Sequence, residues 1–317
     1  MVYEIYSPFY SGCPILNGKL KGKGEASLNN KHKAPALLRL LRPKQWLKNG
    51  FVLLPLLFSG FLLKLDLVEY ALLATLVFCL LSGCVYIFND IVDRESDRKH
   101  LAKRDRPIAS GEVSIASAAR LLAILLVIAF VCSFFVGLLF IVVAVSYFAL
   151  NIAYSLALKH IPAVDILCVS MGFVLRVVGG AIAISCFISP WILFCTFSLS
   201  LFLAIQKRYG EIDESEGLER GSRKVLGFYT RELLNELGSI AASLTIVAYS
   251  LYTFNATQTE WMMITIPFVV FGLFRYLIIA KTIGGVESPE KILLQDKAIL
   301  VDVALWIAVC AVLLYVL

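Results

Sequence analysis

Charge is scarce in this 317-residue chain: Asp, Glu, Lys and Arg make up 16% of it, against 59% apolar residues. A water-soluble domain is about a quarter charged, so that class is excluded. The eight cysteines form no C-x-x-C pair and no Cys/His cluster, and His32, His100 and His160 have no metal-ligand spacing. A disulfide frame and a thiolate or imidazole metal centre are therefore not expected. Seven of the eight cysteines lie within or at the edge of apolar runs, where they read as small hydrophobes. No Ser/His/Asp machinery, no internal repeat and no soluble second domain is visible.

What is present is apolar length. Nine runs, at about 47–64, 66–89, 115–135, 137–156, 163–186, 189–206, 232–254, 262–283 and 298–317, each approach the ~20 residues that cross a bilayer as a helix. The expectation is an all-α polytopic membrane protein with nine transmembrane helices around a cavity open to the cytoplasm. Residues 1–35, rich in Gly, Ser, Asn and Lys, read as a flexible cytoplasmic tail without the apolar core of a signal peptide. Residues 36–317 read as one transmembrane domain.

Basic residues set the orientation. Of 29 Lys and Arg, 26 lie before residue 50, at 90–120, at Lys159, at 207–231 and at 281–297, which fall on one side if nine spans alternate; the other side has only Lys64. The positive-inside rule makes the N-terminus and these loops cytoplasmic, in a cell (plasma or inner) membrane. The net charge of +6 thus reflects topology and anionic headgroups or phosphate substrates, not nucleic acid.

The chemistry concentrates in "NDIVDRESDRKHLAKRDRPIASG", residues 89–111. If the second span continues as helix, Asp90, Asp93 and Asp97 sit at i, i+3 and i+7 on one face. Three carboxylates so placed repel one another unless a cation neutralises them, and oxygen ligands at a membrane surface suit Mg²⁺. Arg98, Lys99, Lys103, Arg104 and Arg106 come next, able to grip phosphate oxygens the metal does not reach. Acid followed by base suits a chelated, phosphate-rich ligand such as a diphosphate. The plainer reading is a solvated loop with positive-inside bias.

This stretch resembles the first aspartate-rich motif of the UbiA superfamily of intramembrane transferases. That resemblance covers nearly all of 36–317 and implies nine helices and Mg²⁺-bound diphosphate substrates, with Asp90, Asp93 and Asp97 as metal ligands and Asn89 beside them. Most members carry a second D-x-x-x-D motif after the sixth span; here that place reads "AIQKRYGEIDESEG", with Lys207, Arg208 and Glu211. Together with "LRPKQWLKN" at 41–49, which contains Lys44, "YSLALKHIPAVDI" at 154–166, "KRYGE" at 207–211 and "GVESPEKILLQDKAIL" at 285–300, this resembles the decaprenyl-phosphate phosphoribosyltransferase branch. The branch implies phosphoribosyl diphosphate as donor, a polyprenyl phosphate lipid as acceptor and an oligomer as a possibility. Prenyl transfer to an aromatic or haem acceptor is the alternative, and a transporter a more distant one.

Other candidates keep two readings. Tyr154 and Lys159 are either diphosphate contacts or an interfacial anchor pair. Asp165 is a polar residue near the cavity mouth. Arg176 and Arg275, at membrane depth, either meet a lipid phosphate or pair with a carboxylate. Glu290 and Asp296 suit helix starts, and Gly179 and Gly180 permit close helix packing.

Overall fold

The computed structural model describes residues 35–100, 103–215, 224–255, 260–283, 292 and 295–315. The expected tail, His32, Glu290 and much of 285–300 lie outside the described residues, as do the side chains of Asp213 and Glu214. In chain order the helices are α1 (Ala36–Leu40), α2 (Leu54–Phe58), α3 (Leu65–Val92), α4 (Arg94–Lys99), α5 (Ile115–Val136), α6 (Leu138–Leu156), α7 (Val164–Ala183), α8 (Pro190–Ser215), α9 (Arg231–Asn255), α10 (Ile266–Ile283) and α11 (Lys297–Tyr315). Short 3₁₀ segments join them, and among the described residues there is no strand.

Eight of the described helical segments are long and apolar enough to cross a membrane, matching the second to ninth expected spans. The first, 47–64, takes another form. Pro43–Leu53 is a 3₁₀ segment of 11 residues that runs straight into the five residues of α2. A 3₁₀ turn rises about 2.0 Å per residue against about 1.5 Å in an α-helix, so the two together reach roughly 30 Å, about the hydrocarbon thickness. Three residues per turn also stacks Asn49, Val52 and Pro55 in one buried row. The row lies against α7, where a Cβ on Gly180 would stand 2.0 Å from the Val52 carbonyl oxygen. Only glycine lets the two backbones approach so closely.

α3 and α7 are the inner helices. The membrane window of α3 is 61% buried and that of α7 56%, whereas that of α5 is 17% and presents its apolar side chains to lipid. One core joins α3, α5, α6 and α7 through Phe78, Phe140 and Tyr147; another joins α8, α9 and α10 through Phe202, Leu234 and Tyr276. The α7–α8 contact connects the two halves. Between α5 and α6 the chain reverses at Gly137 alone, with φ at 135°, a conformation other residues rarely adopt. Ser114 starts α5 by accepting the Ser117 N–H at 3.2 Å.

Candidate active site

The end of α3 carries Asn89 and Asp90, and the helix stops at Asp93 (φ −88°, ψ 5°) before α4 begins at Arg94. The single unbroken face expected for the three aspartates is corrected by this break. Asp90 and Asp97 converge on one guanidinium: Arg106 Nη1 donates to Asp90 Oδ1 at 3.1 Å and to Asp97 Oδ2 at 2.6 Å. Asp93 turns elsewhere, accepting from Lys159 Nζ at 2.6 Å. Asp90 and Asp97 are both buried, and the Arg106 guanidinium is the cation they share.

Asp90 has a second partner that sequence reasoning missed. Arg42 Nη2 donates to Asp90 Oδ1 at 2.5 Å, with its guanidinium 5.0 Å from the centre of the Tyr86 ring. Its backbone is left-handed, φ 48° and ψ 61°, uncommon for a residue with a side chain. The signal was at hand: Arg42 stands in the same "LRPKQWLKN" stretch as Lys44, which is exposed at the surface. Arg104 is exposed too, while Lys103 is half-buried and engaged within the protein.

A second network lies where the sequence has no D-x-x-x-D. Arg208 Nε donates to Asp165 Oδ2 at 2.8 Å, Nη1 to Glu211 Oε2 at 2.6 Å and Nη2 to the Tyr154 hydroxyl at 3.0 Å. Tyr229, also missed from sequence, donates to Asp165 Oδ1 at 2.7 Å and accepts the Ala163 N–H at 2.8 Å. Burial and the bond to Asp165 push its phenol up to about 12. Asp165 is fully buried and Arg208 nearly so. Arg208 therefore ties α6, α7 and α8 together with all three nitrogens engaged; of the two cations expected here, Lys207 is the one at the surface.

Deeper in the bundle, Arg176 is buried among neutral partners. Nε donates to Asn49 Oδ1 at 2.7 Å, Nη1 to the Gly172 carbonyl at 2.9 Å and Nη2 to the Tyr147 hydroxyl at 2.7 Å, with Ser82 Oγ at 3.4 Å. No carboxylate joins this cluster among the described residues. Arg275 behaves otherwise, pairing with Asp296 at 2.9 Å. Asp296 also accepts the Ile299 N–H at 2.9 Å and so starts α11. Burial acts to raise the Asp296 carboxyl, but the hydrogen bonds from Arg275 and Ile299 outweigh it and hold it below the usual carboxylate range.

Among the described residues no three Asp, Glu, His or Cys side chains gather closely enough to hold a metal by themselves. Mg²⁺ does not require that: one or two carboxylates plus water and substrate phosphates suffice. Asn89 Oδ1 is buried with no hydrogen-bond partner, one turn from Asp93. That orphaned oxygen and the all-oxygen donor set fit a hard divalent cation.

The UbiA prenyltransferase family matches this chain over residues 52–285. The chain is 33% identical over 302 residues to the decaprenyl-phosphate phosphoribosyltransferase of Mycolicibacterium smegmatis, covering 90% of this chain and 94% of that one. It is 33% identical over 297 residues to the protein of the same name from Corynebacterium glutamicum, covering 90% and 89%. Among solved structures, a UbiA homolog from Archaeoglobus fulgidus bound to GPP and Mg2+ superposes with a TM-score of 0.69 at 21% identity, over 88% of this chain and 99% of that one. With its inner helices, paired aspartates and orphaned Asn89 carrying the same fold, the chain belongs to the UbiA prenyltransferase family.

Proposed function

We propose that this protein transfers a 5-phosphoribosyl group from phosphoribosyl diphosphate to the phosphate of a long-chain polyprenyl phosphate, releasing pyrophosphate with the help of Mg²⁺. The observation that carries the reading is that the carboxylates of the mouth are matched by cations: Asp90 and Asp97 by Arg106, Asp90 again by Arg42, Asp93 by Lys159. Such a site suits a ligand that brings both metal and several phosphate groups. The likeness to relatives named for this reaction, over 90% of the chain, supports it further.

Asp90, Asp93, Asp97 and Asn89 would hold Mg²⁺, which supplies charge neutralisation for the leaving pyrophosphate. Arg42, Arg106 and Lys159, each within reach of those carboxylates, bind phosphate oxygens and orient the donor. Lys44, Lys103, Arg104 and Lys207 raise the positive potential at the entrance. An acceptor phosphate oxygen attacks C1 of the ribose while the C1–O bond to pyrophosphate breaks. A phosphate monoester is already largely dianionic at pH 7, so no general base is needed. Arg176 provides the uncompensated positive charge toward which an acceptor phosphate is drawn from within the bundle, and the Arg208 network fixes the floor on which Tyr154 stands. The active mouth faces the cytoplasm of a cell membrane, where the donor is found.

The test is conversion: purified protein in nanodiscs, Mg²⁺, decaprenyl phosphate and labelled phosphoribosyl diphosphate, with label followed into the organic phase and EDTA as control. Metal-dependent labelled lipid is expected. Labelled prenyl diphosphate incorporated into an aromatic acceptor without any phosphoribosyl donor would replace this reading with prenyl transfer.

A further inference from the structure

The turn between α6 and α7 carries groups from both halves of the mouth. Lys159, in the 3₁₀ turn Leu158–His160, is buried and meets Asp93 at 2.6 Å. Asp165, just inside α7, is the fully buried partner of Arg208. The path of the few residues between them therefore sets where Lys159 stands relative to Asp165, and with it the carboxylate motif of α3 relative to the Arg208 network.

That path is strained. Ala163 has φ 65° and ψ −41°, a region that a residue with a Cβ enters at a cost and holds only where its surroundings enforce it. Pro162, directly before it, has no N–H and so donates no hydrogen bond that could secure the turn.

The enforcing group is the Tyr229 hydroxyl. It accepts the Ala163 N–H at 2.8 Å and donates to Asp165 Oδ1 at 2.7 Å, spending both of its hydrogen-bonding roles on this one turn. Tyr229 is itself firmly seated. It is buried in the same core as Ile166 and Leu234, and the Lys224–Phe228 segment just before it packs on Leu158–His160. Thr230, next along, starts α9 by accepting the Leu233 N–H at 3.1 Å. The hydroxyl is thus fixed to the start of a long helix.

We infer that Tyr229 is a positioning residue for donor binding, a role that rests on the phosphoribosyl-transfer reading: by holding the Ala163 turn, its hydroxyl keeps the Lys159 ammonium where the diphosphate of the donor binds. Tyr229 acts through Lys159 and does not touch the donor. Without the hydroxyl, Ala163 relaxes toward negative φ, the chain before it turns, and Lys159 leaves Asp93. Donor affinity is what suffers, because the acceptor phosphate and the ribose C1 it attacks are reached by neither Tyr229 nor the turn.

Tyr229→Phe keeps the ring and its packing and removes only the hydroxyl. In the full chain in nanodiscs, KM for phosphoribosyl diphosphate is expected to rise about tenfold, with kcat changed less than about twofold and KM for decaprenyl phosphate unchanged. Binding without turnover is read by titrating pyrophosphate with Mg²⁺, no acceptor present, into wild type, Tyr229→Phe, Lys159→Gln and the double variant. Tyr229→Phe is expected to weaken pyrophosphate binding by itself and to add nothing beside Lys159→Gln. Ala163→Gly, which takes a positive φ without strain, is expected to restore most of the affinity when combined with Tyr229→Phe, and this pair carries the test where Tyr229→Phe alone does not fold. Additive losses in the cycle, an equal rise in both KM values, or no recovery with Ala163→Gly overturns the inference and leaves Tyr229 a support of the fold at large. Pyrophosphate is the leaving group of a phosphoribosyl and a prenyl donor alike. A wild type that binds it yet turns over no phosphoribosyl diphosphate therefore overturns the phosphoribosyl reading alone, and the cycle still decides the role of Tyr229.

Discussion

Lys159 meets Asp93 at 2.6 Å although 66 residues separate them in the chain. This contact brings the end of α6 to the end of α3 and sets Asp93 apart from the pair formed by Asp90 and Asp97. Asp93 is also the most accessible of the three, its side chain 27% exposed.

Asp93→Asn should cost less stability than the roughly 3–5 kcal/mol of breaking a fully buried pair, because Asp93 is part-exposed and the Asn oxygen still accepts from the buried Lys159 ammonium. Its effect falls on catalysis: Mg²⁺-dependent phosphoribosyl transfer drops on the order of 100-fold or more, the scale for losing one preorganised charge. Initial rates at saturating Mg²⁺ beside the thermal midpoint decide this, and full activity removes Asp93 from the metal site.

Arg106→Ala leaves buried Asp90 and Asp97 without their common cation. Breaking a buried pair costs about 3–5 kcal/mol, tempered here because Arg42 still reaches Asp90. A lowered thermal midpoint is expected, and one that added Mg²⁺ raises more in the variant than in the wild type. An equal Mg²⁺ response in both argues against metal near these carboxylates.

Arg176→Gln removes the donors that hold Asn49, Tyr147 and the Gly172 carbonyl. Each buried acceptor left unsatisfied costs about 1–3 kcal/mol, so the folded yield in detergent should fall clearly. Arg176→Lys keeps the charge but lacks the fork, and should recover part of the acceptor affinity without the full stability. Identical behaviour of both variants assigns Arg176 a purely structural role.

Gly180→Ala and Gly50→Ala form a matched test of the close approach. An added Cβ meets the Val52 carbonyl oxygen at 2.0 Å in the first and nothing within 4 Å in the second. The first should destabilise by several kcal/mol, beyond the roughly 1–3 typical of overpacking, and the second should be neutral or stabilise by up to about 1. Fluorescence-detected size exclusion across a temperature series compares them directly.

The Asp296 carboxyl is held below its ordinary value in the folded state. A depressed carboxyl stabilises above the unfolded pKa, near 4, and that contribution is lost as pH falls through the folded value. Asp296→Asn should lower the thermal midpoint at pH 7 and flatten its fall below about pH 4. An unchanged acid limb means other carboxylates govern it.

Much of this was legible from residue type alone. Eight spans follow from apolar length, and the pairing of Asp296 with a helix start follows from its place before a long apolar run. The three aspartates were visible as a spacing, but their division was not, because the helix breaks at Asp93. Arg42 stands in the same stretch as Lys44, but residue type alone does not say which of its cations the fold turns toward Asp90. Arg208 reads from the sequence as a cation for substrate phosphate, and only the fold brings Asp165, Tyr154 and Glu211 around it. The first span was found by hydrophobicity and its form was missed, because apolar content does not distinguish three residues per turn from 3.6.

The stacked row of Asn49, Val52 and Pro55 also limits how this region can vary in length. Each added residue in a 3₁₀ segment rotates the chain beyond it by about 120° and advances it about 2 Å. An insertion between Asn49 and Pro55 would leave Asn49 beneath Arg176 only by swinging Pro55 and Phe58 away from α7 and Tyr252. Descendants of this chain can exchange side chains freely on the lipid-facing surface of α5, yet between these positions they are held to a fixed count of residues.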